Sequence, residues 1–259
     1  MSEPAHPAPI ERPLVVAIAY DELCMFEFSI AVEIFGLPRP EMGDRWYDFK
    51  VAAVSAGPLR ATGGVQVSAD GDLDLVRAAH TVVIPGWTGV ETTVPDELKQ
   101  ALLAAYANGA RIMSICSGVF VLASTGLLDG RRATTHWRYM ESLAAKYPDI
   151  IVQRDVLYVD EDQLLTSAGS AAGIDLSLHL VRRDFGVAAA NSVARRLVVP
   201  AHRDGGQAQF TERPVAKYPN HSLGDLFDWM RQHLDQPLTI KTLAQRASTS
   251  PRSLLRRFV

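Results

Sequence analysis

The amino-acid sequence predicts an α/β protein: a doubly wound, mostly parallel sheet of the flavodoxin-like type, followed by an all-α helix-turn-helix segment. Three observations predict this fold class. Short apolar runs rich in β-branched residues alternate with segments of helical periodicity over most of the chain. A cysteine lies at a sharp turn between one such run and the helix after it. Beyond residue 221, apolar residues recur at helical spacing.

The composition is typical of one large or two modest globular domains. The chain has 259 residues, of which 47% are hydrophobic and 21% charged, and this excludes disordered and fibrous classes. Cys24 and Cys116 form neither a disulfide framework nor a metal-ligand spacing, so we expect a reducing compartment and no metal or cofactor. Residues 1–12 are polar and Pro-rich, and no apolar run is long enough to cross a bilayer. We therefore expect a cytoplasmic protein without a membrane partner.

The first part of the α/β region contains four predicted strands. Apolar runs place them at residues 14–20, 47–55, 81–84 and 110–115. A connection over residues 22–28 leads into a short helix over 29–36. The glycine-rich stretch 57–75 predicts an irregular hairpin, and residues 96–108 form an amphipathic helix that Gly109 ends.

The second part of this region is richer in helices. Helical patterns cover residues 118–128, 137–147, 170–185 and 187–198. Pro148 ends the second of these helices, and Gly186 separates the last two. Two strands are predicted within residues 150–167, around a turn at 160–162. In a parallel sheet covered by helices, ligands bind at the carboxyl ends of the strands.

Cys116 occupies the turn at such a carboxyl end, in the sequence Cys-Ser-Gly. A sharp strand-to-helix turn places one side chain at the positive end of the helix, where amide groups and the helix dipole favour a thiolate. His136 follows 20 residues later and is a predicted partner of the sulfur. The alternatives are that Cys116 is a small buried apolar residue and that His136 only caps the helix beginning near Trp137.

Four further residues complete the predicted pocket. Glu27, in the loop after the first strand, would exchange a proton with the thiol. Gly86 ends another strand, and its N–H with that of Ser117 would form an oxyanion hole. Trp87 would supply an apolar wall. The alternatives are that Glu27 is a solvated loop acid and that Trp87 belongs to the ordinary core.

The last part of the chain is basic and helical. Residues 236–259 contain five basic and no acidic residues, although the whole chain has a net charge of −3. One predicted helix has an inward stripe formed by Ile240, Leu243, Ala244 and Ala247. Ser250 would cap a second helix with Pro251 at its first position. In that second helix the inward residues are Leu254, Leu255 and Phe258, and the outward residues are Arg252, Ser253, Arg256 and Arg257.

Two short helices of this kind are typical of a helix-turn-helix whose second helix enters a DNA major groove. Outward arginines suit guanine edges and phosphates, so we predict that Arg252, Ser253, Arg256 and Arg257 contact DNA. The alternatives are a solvated basic helix or a small subdomain that docks on a partner.

Longer motifs resemble a known family. The segment CSGVFVLASTGLLDGRRATTHW resembles the PfpI-like domain of the class I glutamine-amidotransferase-like superfamily, in the form fused to AraC-type regulators, the GlxA-like group. TSAGSAAGIDLSLHLVRRDFG and ARRLVVPAHRDGGQAQF are similar to the same group, and the resemblance covers nearly all of the chain from Leu14. The resemblance implies a role in the pocket for each of five residues. They are the nucleophile-elbow cysteine Cys116, its hydroxyl neighbour Ser117, the histidine His136, the acid Glu27 and the oxyanion-loop glycine Gly86.

The sequence departs from the enzymes of that superfamily. No His directly follows Cys116, and no His-x-Glu pair lies downstream, so a glutaminase triad is not expected. Isonitrile hydratases use an acid and a Cys-Thr pair on this fold, a pattern that Glu27 with Cys116-Ser117 approaches without matching. The resemblance therefore implies a DNA-binding transcriptional regulator that senses a small metabolite. The alternatives are a cysteine-dependent hydratase or amidase, and a domain that acts chiefly as a dimerisation platform.

The expected organisation is a disordered segment over residues 1–12, a sensor domain over 13–199, a linker over 200–221 and a partial helix-turn-helix domain over 222–259. AraC-type regions resemble two helix-turn-helix units joined by a long helix. This sequence supplies a first helix over 223–234 and one unit, and it ends inside the second helix of that unit. We expect a homodimer whose partners are DNA and a small effector, with weak or absent specific DNA binding by these 259 residues.

Overall fold

The computed structural model of this protein describes residues 12–203, 206–207, 226, 229–230, 233 and 237–258. The chain divides into two units, Met1–Thr211 and Glu212–Val259. The expected disordered segment over residues 1–12 and the expected linker over 200–221 lie largely outside the described residues. Most of the predicted helix over 223–234 does as well.

A six-stranded sheet forms the centre of the first unit. Its strands are β1 (Leu14–Ala19), β2 (Asp48–Ala53), β5 (Thr81–Ile84), β6 (Arg111–Ile115), β9 (Tyr158–Glu161) and β10 (Leu164–Ser167). Their order is β2-β1-β5-β6-β10-β9, and every pair is parallel except the edge pair β9 and β10. Two short pairs lie outside this sheet: β3 (Leu59–Arg60) with β4 (Gln66–Val67), and β7 (Arg132–Ala133) with β8 (Ile151–Val152). The predicted parallel α/β fold is confirmed.

Helices follow the strands and cover the sheet. They are α1 (Met25–Ala31), α2 (Leu73–Ala78), α3 (Asp96–Ala107), α4 (Val119–Ala123), α5 (Met140–Lys146) and α6 (Ala172–Leu197). Strands β5 and β10 are buried along their whole length, as expected of central strands between two helical layers. Among the described residues, every helix is too short or too polar to span a membrane.

Two helices differ from their predicted bounds. The first helix begins at Met25, before the predicted start at residue 29, and a π-helical turn extends it through Val32–Gly36. Glu27 therefore lies in its first turn, and the prediction of a loop position was wrong. Helix α4 ends at Ala123, short of residue 128, because the Ser124 and Thr125 hydroxyls donate to carbonyl oxygens of the preceding turn.

The break at Gly186 and the hairpin around residues 160–162 are confirmed, whereas helix α2 was missed. Helix α6 is kinked at Gly186, whose φ of 84° and ψ of 176° are not helical, so two helices meet there as predicted. Within residues 150–167, β9 and β10 form a hairpin, but residues 151–152 pair with β7 instead. Helix α2 was not predicted, because it is only six residues long and begins inside the glycine-rich stretch 57–75, where the sequence has no clear periodicity.

The second unit contains α7 (Ile240–Arg246) and α8 (Pro251–Phe258). The Oγ of Ser250 accepts the N–H of Ser253 at 3.1 Å, which confirms the predicted cap of the second helix. Among the described residues of this unit, Leu226, Leu243, Ala244 and Leu254 are buried and apolar.

Two residues of the predicted inward stripes are not buried. Ile240 and Leu255 are 48% and 49% exposed, so their assignment to the inward face was wrong. Each helix is short and buries only a narrow stripe against its neighbour. Arg252 and Arg256 are exposed, as predicted, whereas Ser253 is half-buried. The side chains of Arg257 and Phe258 lie outside the described residues.

Candidate functional site

A cavity of about 930 Å³ opens where β1, β5, β6 and β10 end. Its wall contains most of the predicted pocket residues: Glu27, Trp87, Cys116, Ser117 and His136. The strand order brings these residues together, since parallel strands end at one edge of the sheet. The cavity size is typical of a small-molecule site.

Cys116 lies directly after β6 in a strained turn. Its φ is +57°, a left-handed value that non-glycine residues rarely adopt, and its side chain is 8% exposed. Gly118, two residues later, has ordinary helical angles of −58° and −20°. A Cβ at Gly118 would lie 2.5 Å from the carbonyl oxygen of Ile84, so glycine is required for close packing rather than for its φ. The turn is thereby held against the end of β5.

Ser117 and Gly86 hold the loop after β5 in place. The Ser117 hydroxyl accepts the Trp87 N–H at 2.8 Å and lies 3.1 Å from the Trp87 carbonyl oxygen, to which it can donate. Gly86 does not line the cavity, and its carbonyl oxygen accepts the hydroxyl of Tyr20. A Cβ at Gly86 would lie 2.7 Å from Cys24 Sγ and 3.2 Å from Ser117 Oγ. Gly86 thus leaves room for its neighbours, and the cavity lining gives no support to its predicted role as an oxyanion donor.

The Cys116 sulfur is a protonated thiol, whereas the sequence led us to expect a thiolate. Burial and then the charge of Glu27 raise the pKa of the thiol to about 12, although the backbone N–H groups of Ser117 and Ser170 lower it. The expected stabilisation by amide groups is therefore present but is outweighed by loss of hydration. The prediction that this position favours a thiolate was wrong.

Glu27 is a buried carboxyl, 8% exposed, rather than a solvated one. The hydroxyl of Ser170 donates to its Oε1 at 3.1 Å. Ser170 adopts a φ of +47° between β10 and α6, and it also directs its N–H at Cys116. Ser170 is thus a site residue that sequence reasoning missed. Its only signal was its position shortly after a buried strand.

His136 lines the cavity and also caps the turn after it. Its Nδ1 accepts the N–H of Arg138 at 3.1 Å, so the residue does cap this turn, and the neutral ring carries its proton on Nε2. Burial, followed by the charge of Arg138, lowers the pKa of His136. His136 is therefore a neutral imidazole in the cavity wall at neutral pH.

Cys24 is a second thiol in the cavity wall that sequence reasoning left unassigned. It precedes α1, and burial raises the pKa of its thiol. The signal was its place after the end of β1, where a doubly wound sheet gathers its site. Arg138 and Tyr139 also line the cavity, and nothing in their spacing indicated this.

A buried chain of hydrogen bonds connects the elbow to residue 207. The Thr135 hydroxyl donates to the carbonyl oxygen of Cys116 at 2.8 Å. The side-chain amide of Gln207, 3% exposed, donates to the carbonyl oxygens of Thr135 at 3.0 Å and of Val156 at 3.2 Å. The segment at residue 207 is therefore fixed to the loop that carries His136.

Comparisons with known proteins agree with this architecture. A model of the DJ-1/PfpI family matches residues 14–183. The HTH-type transcriptional regulator CdhR of Pseudomonas aeruginosa is 32% identical over 216 residues, which cover 82% of this chain and 63% of that protein. An isonitrile hydratase of Pseudomonas putida is 32% identical over 141 residues, covering 54% of this chain and 60% of the enzyme. This chain thus spans under two thirds of the length of the relative CdhR.

Among solved structures, an AraC family transcriptional regulator from Pseudomonas putida has a TM-score of 0.63 and 21% sequence identity. The match covers 71% of this chain and 99% of that one. At this level of identity the likeness concerns the fold.

Proposed function

This chain belongs to the DJ-1/PfpI family, and from that premise we propose that it is a transcriptional regulator whose α/β unit binds a small metabolite and whose C-terminal helices bind DNA. One observation carries this proposal. The same chain holds a cavity of about 930 Å³ around Cys116 and a pair of helices, the second of which is capped and exposes Arg252 and Arg256. The similarity to CdhR, a transcriptional regulator by name, supports the combination.

The pocket is better suited to binding than to covalent catalysis. At neutral pH a thiol with a pKa of about 12 is almost fully protonated, and the thiolate is the nucleophile. The cavity wall contains charges of both signs: Glu27 and Asp21 are acidic, and Arg60 and Arg138 are basic. A small polar metabolite fits such a wall.

We assign residues 13–199 to the sensor, 200–221 to a linker and 222–259 to a partial DNA-binding domain. The protein acts in the cytoplasm as a homodimer, because two copies would present two recognition helices to a two-fold DNA site. The hydrogen bonds that join residues 116, 135 and 207 connect the pocket to the proposed linker.

Salt-dependent DNA binding tests the proposal. The affinity of the full 259-residue chain for duplex DNA is measured by fluorescence anisotropy over a range of salt concentrations. Replacing Arg252 and Arg256 by Ala removes two phosphate or base contacts, so the slope of log affinity against log salt falls by about 2. The matched control, Arg154→Ala, removes an exposed arginine of the α/β unit and leaves the slope unchanged. An unchanged slope in the double variant rules out α8 as the DNA contact.

A second candidate function is cysteine-dependent hydration of a small molecule. The similarity to isonitrile hydratase and the closeness of Glu27 to Cys116 favour it. Incubation with an alkyl isonitrile, followed by chromatography, tests this candidate. Product that disappears in Cys116→Ala supports the enzyme; stabilisation by metabolites without any turnover supports the sensor.

A further inference from the structure

A smaller cavity, which we call the side chamber, adjoins the Cys116 cavity. It has a volume of about 230 Å³, and His136, Trp137 and Ser170 line both cavities. A Cβ at Gly169, which also lines the side chamber, would lie 1.7 Å from Cδ2 of His136, so the imidazole ring packs directly on this glycine. His136 and Ser170 therefore belong to the border between the two spaces.

The wall of the side chamber is largely apolar. Leu157, Ala168 and Ala172 form a small apolar cluster of their own, separate from the main core of the unit. All three are buried, and all three line the chamber. Side chains that border such a space lack packing contacts on that side, and the apolar surface of a ligand would supply them.

Polar groups in this wall are already bonded within the protein. The side-chain nitrogen of Gln207 donates to two carbonyl oxygens, as described above. Arg203 donates from Nε and Nη2 to the carboxylate of Asp175, at 3.2 and 2.5 Å. The hydroxyl of Ser170 donates to Glu27. The side chamber therefore favours an apolar group, in contrast to the charged wall of the Cys116 cavity.

The segment after α6 forms one side of the side chamber, through Arg203 and Gln207. A further cavity of about 90 Å³, lined by Val199, Pro200 and Arg203, lies along the same segment. The segment is thus attached by polar contacts and packs incompletely on α6. A group that fills the side chamber gains contacts with both the segment and the start of α6.

The volume of the side chamber suits a group of about the size of a benzene ring. Apolar cavities of about 150 Å³ in other proteins bind benzene, and the side chamber is larger. It is not sealed from solvent, because Ala171 in its wall is exposed and the Arg203 side chain is 36% exposed. A ligand can therefore enter without unfolding of the unit.

We propose that the side chamber binds the apolar end of the effector, an aromatic or aliphatic group, while the polar end of the effector lies in the Cys116 cavity. Occupation of the chamber holds residues 199–203 more firmly on α6, because the bound group contacts both. The identity of the ligand as an effector rests on the proposed function. The affinity of the side chamber for an apolar group does not, so it is measured without DNA.

Titration of the full 259-residue chain with benzene tests the proposal, with acetamide as a small polar control molecule. Binding is followed by calorimetry and by the melting temperature. Benzene binds saturably and raises the melting temperature, whereas acetamide does neither. Ala172→Leu places a larger side chain in the chamber and weakens benzene binding about tenfold or more.

Leu157→Phe adds less volume, so it weakens benzene binding several-fold and keeps the test valid if Ala172→Leu does not fold. Ala188→Leu, at an exposed position of α6 outside both cavity walls, is the control and binds benzene like the original chain. The absence of saturable benzene binding overturns the proposal. Binding that persists unchanged in Leu157→Phe and in a folded Ala172→Leu places benzene elsewhere and overturns it as well.

Trypsin cleavage after Arg203 reports on the attachment of the segment. Saturating benzene slows this cleavage several-fold, because the protease needs the segment detached from α6. Cleavage after Arg45, an exposed residue outside both cavity walls, is the internal control and keeps its rate. Cleavage after Arg203 that is unchanged or faster with benzene bound overturns the effect on the segment. Benzene binding as expected, together with no DNA binding by the chain, would remove the proposed function and leave the side chamber as a site.

Discussion

Cys116 shows how the neighbours of one residue set its chemistry. Its position at a strand-to-helix turn supplies two N–H groups, from Ser117 and Ser170, that stabilise the thiolate. Burial and Glu27 act more strongly in the opposite direction and raise its pKa to about 12. The sulfur is therefore a neutral group in a charged pocket, and any ligand that neutralises Glu27 changes its reactivity.

Replacement of Glu27 by Gln tests this balance. The variant lowers the pKa of Cys116 below about 12, because it removes a neighbouring negative charge, and leaves it above its ordinary value of 9.0, because burial remains. Thiolate absorbance against pH in a Cys24→Ser background gives the value. Glu141→Gln, an exposed carboxyl paired with Arg154, is the control and has no effect. A rise in the Cys116 pKa would indicate instead that Glu27 donates a hydrogen bond to the sulfur.

Gly118 allows a second test at the scale of one residue. Gly118→Ala places a methyl group 2.5 Å from the carbonyl oxygen of Ile84 and 2.8 Å from that of Pro85, neither of which can move as a side chain does. We expect a loss of about 1–3 kcal/mol in the free energy of unfolding, measured in urea.

Gly130→Ala is the matched comparison for Gly118→Ala. Gly130 has a φ of +71° and no atom within 4 Å of its Cβ position, so the substitution adds only backbone strain and costs about 1 kcal/mol. Equal losses in the free energy of unfolding for the two variants would mean that the close packing of Gly118 against Ile84 and Pro85 does not require a glycine.

At the scale of elements, the segment that ends at residue 207 is fixed to the first unit by side chains. Arg203 pairs with Asp175 of α6 at 2.5 Å, and Arg182 donates to the carbonyl oxygen of Ala201 at 2.5 Å. Gln207 adds its bonds to the loop before His136. Movement of that loop on ligand binding would thus displace the start of the proposed linker.

Gln207→Leu measures the strength of this attachment. The variant leaves the carbonyl oxygens of Thr135 and Val156 without the amide donor of Gln207, so the free energy of unfolding falls by about 1–3 kcal/mol. Urea unfolding gives the value. Gln66→Leu, at an exposed position of β4, is the control and changes stability by less than about 0.5 kcal/mol. A neutral Gln207→Leu would mean that residue 207 is not held to this loop in solution.

At the scale of the whole molecule, the doubly wound sheet encloses several weak acids. Burial raises the pKa of the thiols of Cys24 and Cys116 and of the hydroxyls of Tyr20 and Tyr47. Each of these groups releases its proton at a lower pH in the unfolded chain than in the folded one. The stability that they contribute is complete below their ordinary pKa values and is lost as the pH rises.

We therefore expect the first unit to lose stability at alkaline pH. The urea midpoint falls as the pH rises from about 9 towards 12, the interval between the ordinary and the raised pKa of Cys116. Cys116→Ser makes the fall of the urea midpoint with pH less steep over that interval, because serine does not titrate there. The part of the fall that remains comes from the tyrosines and Cys24. A midpoint that stays constant over this interval would contradict the burial of these groups.

The sequence alone determined the six strands of the main sheet and most of the helices, the elbow at Cys116, the break at Gly186 and the cap at Ser250. These features depend on apolar periodicity, on glycine and on capping residues, all of which act over a few neighbouring positions. Only the tertiary structure decided that Glu27 and Ser170 lie beside Cys116 and that the thiol is not ionised. Such properties arise from contacts between residues far apart in the chain and from the exclusion of water, which no local pattern encodes.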